Sequence, residues 1–370
     1  MDVVPVQGTG ELARFIRFPY AHYRHDPHWV APLPSDERVR LTPGKNPYFE
    51  HAEAAYYLAT DRGRDVGRIA VTVDRNYDAF QGERQAAFGF FEAASAEAAA
   101  ALLEAIEPWA RAKGAEIIRG PMSFTTNDEC GLLVEGFEHR PAILMPFNRP
   151  DYASWIEGAG FRKAKDLYEF HCPVPERVPP AYARVASLTR RRQGVRTRPL
   201  NMRRFRDELG RVKEIYNSAW EQNWGFVPMT DHEIDHMAAQ LKPAIVPDLV
   251  RFAEVDGATV AFALCVPDVN AALAKIHGRL FPFGIFRLLW TLPRIREFRF
   301  MALGIHSEWR RKGIAPLLVA ELAEVTHARG YRLCQIGWTL EDNGPVNDLA
   351  VQMGGVRSGV YRIYERSVAG

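Results

Sequence analysis

Charge of one sign, long apolar runs and paired cysteines are all scarce in this chain of 370 residues. Lysine and arginine total 47 against 45 for aspartate and glutamate, a formal net charge of +2. So even a balance gives no footprint for nucleic acid or for general attraction to an anionic membrane. The densest basic run, Arg190-Arg191-Arg192 with Arg196 and Arg198, reads as a solvated linker or helix surface. No segment reaches the ~18 uncharged apolar residues that a membrane span requires. The four cysteines, Cys130, Cys172, Cys265 and Cys334, stand far apart with no C-x-x-C pair. They read as buried thiols, not as a disulfide or zinc framework. His22, His25 and His28 with Asp26 are metal-ligand types, but Pro27 disfavours a continuous helix presenting them on one face. No metal is expected. Met1 to Pro5 carries neither a basic n-region nor an apolar h-region, so the expectation is a cytoplasmic protein.

What is present is an ordinary globular composition, 47% hydrophobic and 25% charged. The length predicts two domains, each able to bury its own core. The chain also echoes itself. Arg64 to Asp74 is matched by Asp256 to Asp268, each a turn feeding an apolar strand. Ala112 to Gly120 is matched by Ala328 to Gly337, and the strand after Gly160-Phe161 by the strand after Gly354-Gly355. Long-period similarity of this kind marks duplicated architecture. The copies differ by one insertion each, within Pro121 to Asn148 in the first and around Leu280 to Leu292 in the second. The Pro-rich stretch Pro173 to Pro180 separates them. The expected division is 1–178, a linker helix region at 179–198, and 199–370.

One turn carries chemistry. Arg310-Arg311-Lys312-Gly313-Ile314-Ala315 follows an apolar strand, Phe300 to Ile305, and precedes a helical pattern, Pro316 to Arg329. Small residues there let the backbone approach a pyrophosphate, and the helix N-terminus aims N–H groups and partial positive charge at it. Strand, Arg-x-x-Gly-x-Ala turn and helix resemble the acyl-CoA motif of GCN5-related N-acetyltransferases (GNAT). The order that follows also resembles that family: a strand from Arg332 to Thr339, Asn343 opening a second helix, and a final strand pair through Tyr361 and Tyr364.

The resemblance implies an α/β (α+β) fold of two tandem GNAT-like units, each a mixed, mostly antiparallel sheet flanked by helices. It implies an N-acyltransferase with acetyl-CoA as the first-choice acyl-CoA co-substrate, a small-molecule or peptide amine as acceptor, direct attack, and no nucleic acid or membrane span. The donor would be held by the main chain of Leu303, Gly304 and Ile305, by the turn Arg310, Arg311, Lys312, Gly313, Ile314 and Ala315, and by Asn343. Gly304, a glycine inside a strand, marks a close approach by a backbone or ligand. In the first half, Ala93-Ala94-Ser95-Ala96-Glu97-Ala98 stands where a phosphate turn belongs, with no glycine and no cation. The helix after it, Ala94 to Lys113, is therefore structural.

Acyl transfer needs a polarised carbonyl, a deprotonated amine and a stabilised thiolate. The family's tyrosine near the CoA sulfur would fall at Ala350, which cannot donate a proton. Tyr361 and Tyr364 are the substitutes, against their packing an aromatic face. Glu297 is the first candidate base, ahead of Glu341 and Asp342. Trp220, Asn223 and Trp224 suit an amphipathic acceptor pocket or a sealing aromatic cluster. Thr126 and Asn127, in the first insertion, are expected to border the same cleft. The apolar insertion Leu280 to Leu292 suits a lid, a membrane-surface contact or packing against the other half. Two other functions fit the same residues: a CoA- or metabolite-binding module without turnover, and an aminoacyl-tRNA-dependent transferase.

Overall fold

Gln85 to Ala93 is buried at every position, because it is a central strand covered on both faces. It belongs to a computed structural model that describes residues 1–368. The N-terminal half runs β1 (Asp2–Pro5), α1 (Thr9–His22), α2 (Pro34–Arg40), β2 (Ala52–Asp61), β3 (Arg64–Asp74), α3 (Arg75–Gln81) and β4 (Gln85–Ala93). It continues with α4 (Ala96–Ala105), α5 (Glu107–Ala112), β5 (Ile117–Gly120), β6 (Leu132–Glu135), α6 (Tyr152–Gly158) and β7 (Arg162–Pro173). The C-terminal half runs α7 (Pro180–Gln193), β8 (Arg196–Pro199), α8 (Phe205–Trp220), α9 (Asp231–Leu241), β9 (Val250–Val255), β10 (Ala258–Pro267), α10 (Asn270–Leu273) and α11 (Gly284–Thr291). It ends with β11 (Glu297–Ile305), α12 (Ile314–Ala328), β12 (Leu333–Leu340), α13 (Gly344–Gln352) and β13 (Val356–Ser367).

The two halves share one 13-stranded sheet, ordered β1-β2-β3-β4-β5-β13-β7-β12-β11-β10-β9-β8, with β6 also on β13. Pairing is antiparallel except for β4 with β5 and β11 with β12. The last strand of each half is exchanged. β13 pairs with β5, Tyr364 opposite Gly120, and β7 pairs with β12, Cys172 opposite Cys334. Each half therefore completes its sheet with the other's strand, which the internal echo could not reveal.

Each half has its own core. In the first, α4 buries Ala98, Ala99, Leu102 and Leu103 on β3 and β4, with Phe88, Tyr152 and Tyr364. In the second, α12 buries Leu317, Leu318 and Leu322 on β9 to β11. Each such large side chain contributes about 1.5–3 kcal/mol. Three expectations change. The helix over Ala94 to Lys113 breaks at Ile106, because Pro108 in the first turn of α5 cannot continue it. The final strand pair is the single strand β13. Pro180 to Gln193 is a packed helix, with Ala186 in the core beside Leu317 and Leu318.

Candidate functional site

The contrast between the two halves begins at their equivalent helices. In α4 the Ser95 hydroxyl accepts from the Ala98 N–H at 3.3 Å, so a first-turn donor is spent internally. In α12 the cap is Gly313, at φ 81°, with no side-chain capping bond. The first-turn N–H groups of α12 have no intrahelical acceptor and form an anion-accepting end. Gly313 is needed twice. Its φ is left-handed, and a Cβ would lie 2.3 Å from Thr189 Oγ1 of α7. That same helix carries Arg190, Arg191 and Arg192 in its last turn, and Gln193 Nε2 donates to the Lys312 carbonyl at 3.0 Å. Arg310 turns elsewhere: its guanidinium donates to the Ser218 and Ala219 carbonyls at 3.1 Å, closing the end of α8. The Lys312 ammonium sits over the Trp309 ring.

Upstream of the turn the sheet splits. Leu264 faces Ala302 and Cys265 faces Phe300, leaving Met301 as an extra residue in β11. β11 pairs with β12 only from Glu297 to Phe300. On the other wall, the register between β12 and β7 slips between Ile336 and Thr339. Arg299, buried, donates from Nε to the Gly337 carbonyl at 2.9 Å and holds that edge of the split. Behind it, burial pushes the Glu169 carboxyl up to about 7 despite Arg299 and a hydrogen bond from Tyr361.

A cavity of about 280 Å³ occupies the split. Met301, Ala302, Leu303 and Asn343 line it, and Asn343 makes no side-chain capping bond to its helix. One arm runs between α12 and α13, past Val319, Leu322, Ala323 and Thr326 on one side and Val346, Leu349 and Met353 on the other, to Cys172, Val174 and Cys334. Burial pushes the Cys172 thiol up to about 12, so it is inert. The other arm reaches Trp220, Asn223, Trp224 and Phe226 of the C-terminal half and Thr126, Asn127 and Asp128 of the N-terminal half. These two segments are stitched together. Thr126 Oγ1 donates to the Gly225 carbonyl at 2.9 Å, Asn127 Nδ2 to the Val227 carbonyl at 3.0 Å, and the Tyr216 hydroxyl to Asn127 Oδ1 at 3.1 Å.

A second cavity, of about 780 Å³, shares Asn127, Asp128, Leu144 and Met237 with the first. It opens between Trp29 to Leu33 and α9 to α10. Asp128 stands where the two meet. Burial raises its carboxyl to about 6 against the Arg40 guanidinium, while Thr125 donates to it from its backbone and hydroxyl.

In the N-terminal half the matching split is filled by the chain itself. The Met122 N–H donates to the Phe88 carbonyl at 2.7 Å, and a Cβ on Gly89 would lie 1.9 Å from the Met122 carbonyl oxygen. That half has neither an open wedge nor an open helix end.

Several expected residues lie elsewhere. Glu297 begins β11, below the split, and is paired with Arg140 at 2.7 Å. Tyr361 is buried against Glu169, and Tyr364 lies in the N-terminal core with its hydroxyl donating to Glu157. Neither tyrosine lines the cavity, because the strand exchange carries β13 over to β5 of the N-terminal half. Gly304 is a glycine for a different reason than expected: a Cβ would meet the Phe262 ring at 2.5 Å. Ile305, like the turn residues, lies outside the cavity lining. Sequence reasoning passed over Asp128 and the α12–α13 arm. The signal for the arm was α12 itself, apolar nearly all round from Ile314 to Ala323.

No protein-family model matches the chain. Protein YghO of Escherichia coli (strain K12) is 35% identical over 366 residues, 97% of this chain and 93% of that protein. A bacterial ceramide synthase of Caulobacter vibrioides (strain NA1000 / CB15N) is 35% identical over 380 residues, 100% of this chain and 98% of that protein. Among solved structures, a tandem GNAT protein from the clavulanic acid biosynthesis pathway is similar in fold. Its TM-score is 0.58 at 14% identity, covering 100% of this chain and 99% of that one.

Proposed function

We propose that this chain, which belongs to the family of YghO and the Caulobacter ceramide synthase and has the fold of a tandem GNAT protein, is an N-acyltransferase that moves a long acyl chain from acyl-CoA to the amine of an amphipathic, long-chain acceptor. The observation that supports this most is the apolar arm between α12 and α13, lined along about two turns of α12 from Val319 to Thr326, longer than an acetyl group needs. A ceramide is an amide of a long acyl chain with a long-chain amino alcohol, so its synthesis needs two apolar cavities meeting at one carbonyl. The second cavity supplies the other. Domain boundaries and site residues are part of the same proposal. Residues 199–370 hold the donor, 179–198 flanks the phosphate turn, and 1–178 supplies the acceptor wall.

In this reading the CoA pyrophosphate rests on the first turn of α12, at Gly313, Ile314 and Ala315, with Arg311 and Lys312 at the rim. Leu303 and Asn343 line the pantetheine path. Trp220, Asn223, Trp224, Thr126 and Asn127 bound the acceptor. The acceptor ammonium first gives a proton to Asp128, the base in place of Glu297. A carboxyl near 6 is ionised at neutral pH yet still accepts a proton readily. The amine nitrogen then attacks the thioester carbonyl carbon. The C–N bond forms, the C–S bond breaks, and the electron pair leaves on sulfur. Ala350 provides no acid, so the thiolate departs as the anion, and the second proton that the nitrogen sheds as the amide forms passes to solvent. The largely apolar lining favours a lipid acceptor over an aminoacyl-tRNA, and thiol release in the assay below separates an enzyme from a binding module without turnover.

The test is direct. Purified protein is given acetyl-, octanoyl- and hexadecanoyl-CoA with a long-chain amino alcohol, and both thiol release and amide mass are followed. The proposal expects the hexadecanoyl amide to form with the highest kcat/KM. Preference for acetyl-CoA, or for a short hydrophilic amine, would overturn it.

A further inference from the structure

The insertion between β10 and β11 does not pack its apolar side chains away. Phe281 is 79% exposed, Phe283 78%, Phe286 68%, Leu289 59% and Trp290 61%. On α11, Phe286, Leu289 and Trp290 follow helical spacing, with Phe283 one turn earlier, so they share one face. The opposite side holds the helix down through buried Thr291. An exposed apolar cluster of this kind marks an interaction surface.

Charge identifies what covers it. From Val269 to Arg296 the sequence contains Lys275, Arg279, Arg287, Arg294 and Arg296, and no aspartate or glutamate. All five cations are exposed. The Arg294 guanidinium stacks 3.9 Å from the Trp290 ring centroid, and Arg287 donates to the Lys275 carbonyl at 3.0 Å. Bulky apolar and aromatic tips framed by arginines are the pattern of a segment lying in a lipid headgroup layer. No helix among the described residues is long and apolar enough to cross a membrane.

Position strengthens the case. The insertion begins at the second cavity, where Val269, Asn270 and Leu273 form part of the wall. Its Gly278 lies so close to Tyr20 and Pro32 that a Cβ would meet them at 2.7 and 2.8 Å. Pro32 belongs to the opposite rim of that same cavity. The exposed face therefore stands beside the cavity mouth.

We propose that residues 269–296 form a peripheral docking surface for an anionic phospholipid bilayer. The aromatic face enters the acyl boundary while the arginines bind lipid phosphates. The proposal goes beyond the catalytic reading, since docking involves no acyl transfer.

The experiment is flotation of the full chain with vesicles of phosphatidylethanolamine and phosphatidylglycerol, against vesicles of phosphatidylcholine alone. Wild-type protein is expected to float with the anionic vesicles, about tenfold better than with neutral ones, and to be released by high salt. A Phe283→Ser/Phe286→Ser/Trp290→Ser variant and, separately, an Arg279→Glu/Arg287→Glu variant should each lose at least about tenfold in recovery. Circular dichroism and acyl-CoA binding should be unchanged, which separates lost docking from lost folding. The proposal is overturned if wild-type protein does not float with anionic vesicles, or if neither variant reduces flotation. It is also overturned if the patch proves to join two copies, with a dimer in solution that the aromatic variant dissociates and no vesicle recovery.

Discussion

Ala323 lines, from α12, the cavity arm in which we place the acyl chain. Phenylalanine at this position would place a ring across the arm. If it denies burial to about five methylenes, at ~0.8 kcal/mol each, the loss is about 4 kcal/mol for a long donor. At ~1.36 kcal/mol per decade that is about a thousandfold in kcat/KM. A butanoyl donor has few carbons to bury in the arm and should lose almost nothing. The assay is thiol release with hexadecanoyl- and butanoyl-CoA at fixed acceptor, read as the ratio of the two kcat/KM values. Thermal unfolding checks that the ring has entered the cavity and not the core, where overpacking would cost about 1–3 kcal/mol. A variant with unchanged Tm and an unchanged ratio would refute the acyl arm.

Three further outcomes follow from the geometry. Ala315→Glu sets a carboxylate in the first turn of α12 without the clash that any side chain at Gly313 would make with Thr189; CoA affinity by calorimetry should fall at least about tenfold, while Tm holds. Asp128→Asn should lower kcat/KM by roughly 10²–10⁴. Wild-type kcat/KM should rise with pH through about 6, as Asp128 loses its proton, and the variant should lack that limb; an identical profile would remove Asp128 as base. His51 bridges Asp74 at 2.8 Å and Glu233 of α9 at 3.3 Å. Burial alone would push its imidazole down, but the two carboxylates outweigh that and hold it up to about 9. Its raised pKa stabilises the fold fully below the unfolded value near 6.5 and progressively less as pH rises through about 9. Tm of the wild type should fall across that window, and His51→Gln should flatten the fall.

Local chemistry was readable from the chain, and long-range pairing was not. The glycine and small residues of Arg310 to Ala315 dictate a turn and an open helix end, and the structure has both. In the first half, the lack of a glycine and a cation from Ala93 to Ala98 pointed to a structural helix, which Ser95 caps. The exchange of β7 and β13 left no such mark, because an apolar strand reads the same whichever neighbour it joins. That exchange is what moved Tyr361 and Tyr364 away from the split between β11 and β12. Gly304 shows the same limit: the close approach was foreseeable, but its agent, the Phe262 ring, depends on the register between β10 and β11. Asp128 sits in a polar run whose depth follows from how the N-terminal insertion meets the loop after α8.

The most direct test is a crystal structure of the protein with a non-transferable long-chain acyl-CoA analogue. The account predicts the pyrophosphate on the backbone of Gly313, Ile314 and Ala315, the thioester mimic at Met301 to Leu303, and the acyl chain between α12 and α13, against Ala323 and Leu349. An acyl chain lying instead in the second cavity, between Trp29 to Leu33 and α9, would contradict the assignment of donor and acceptor sites.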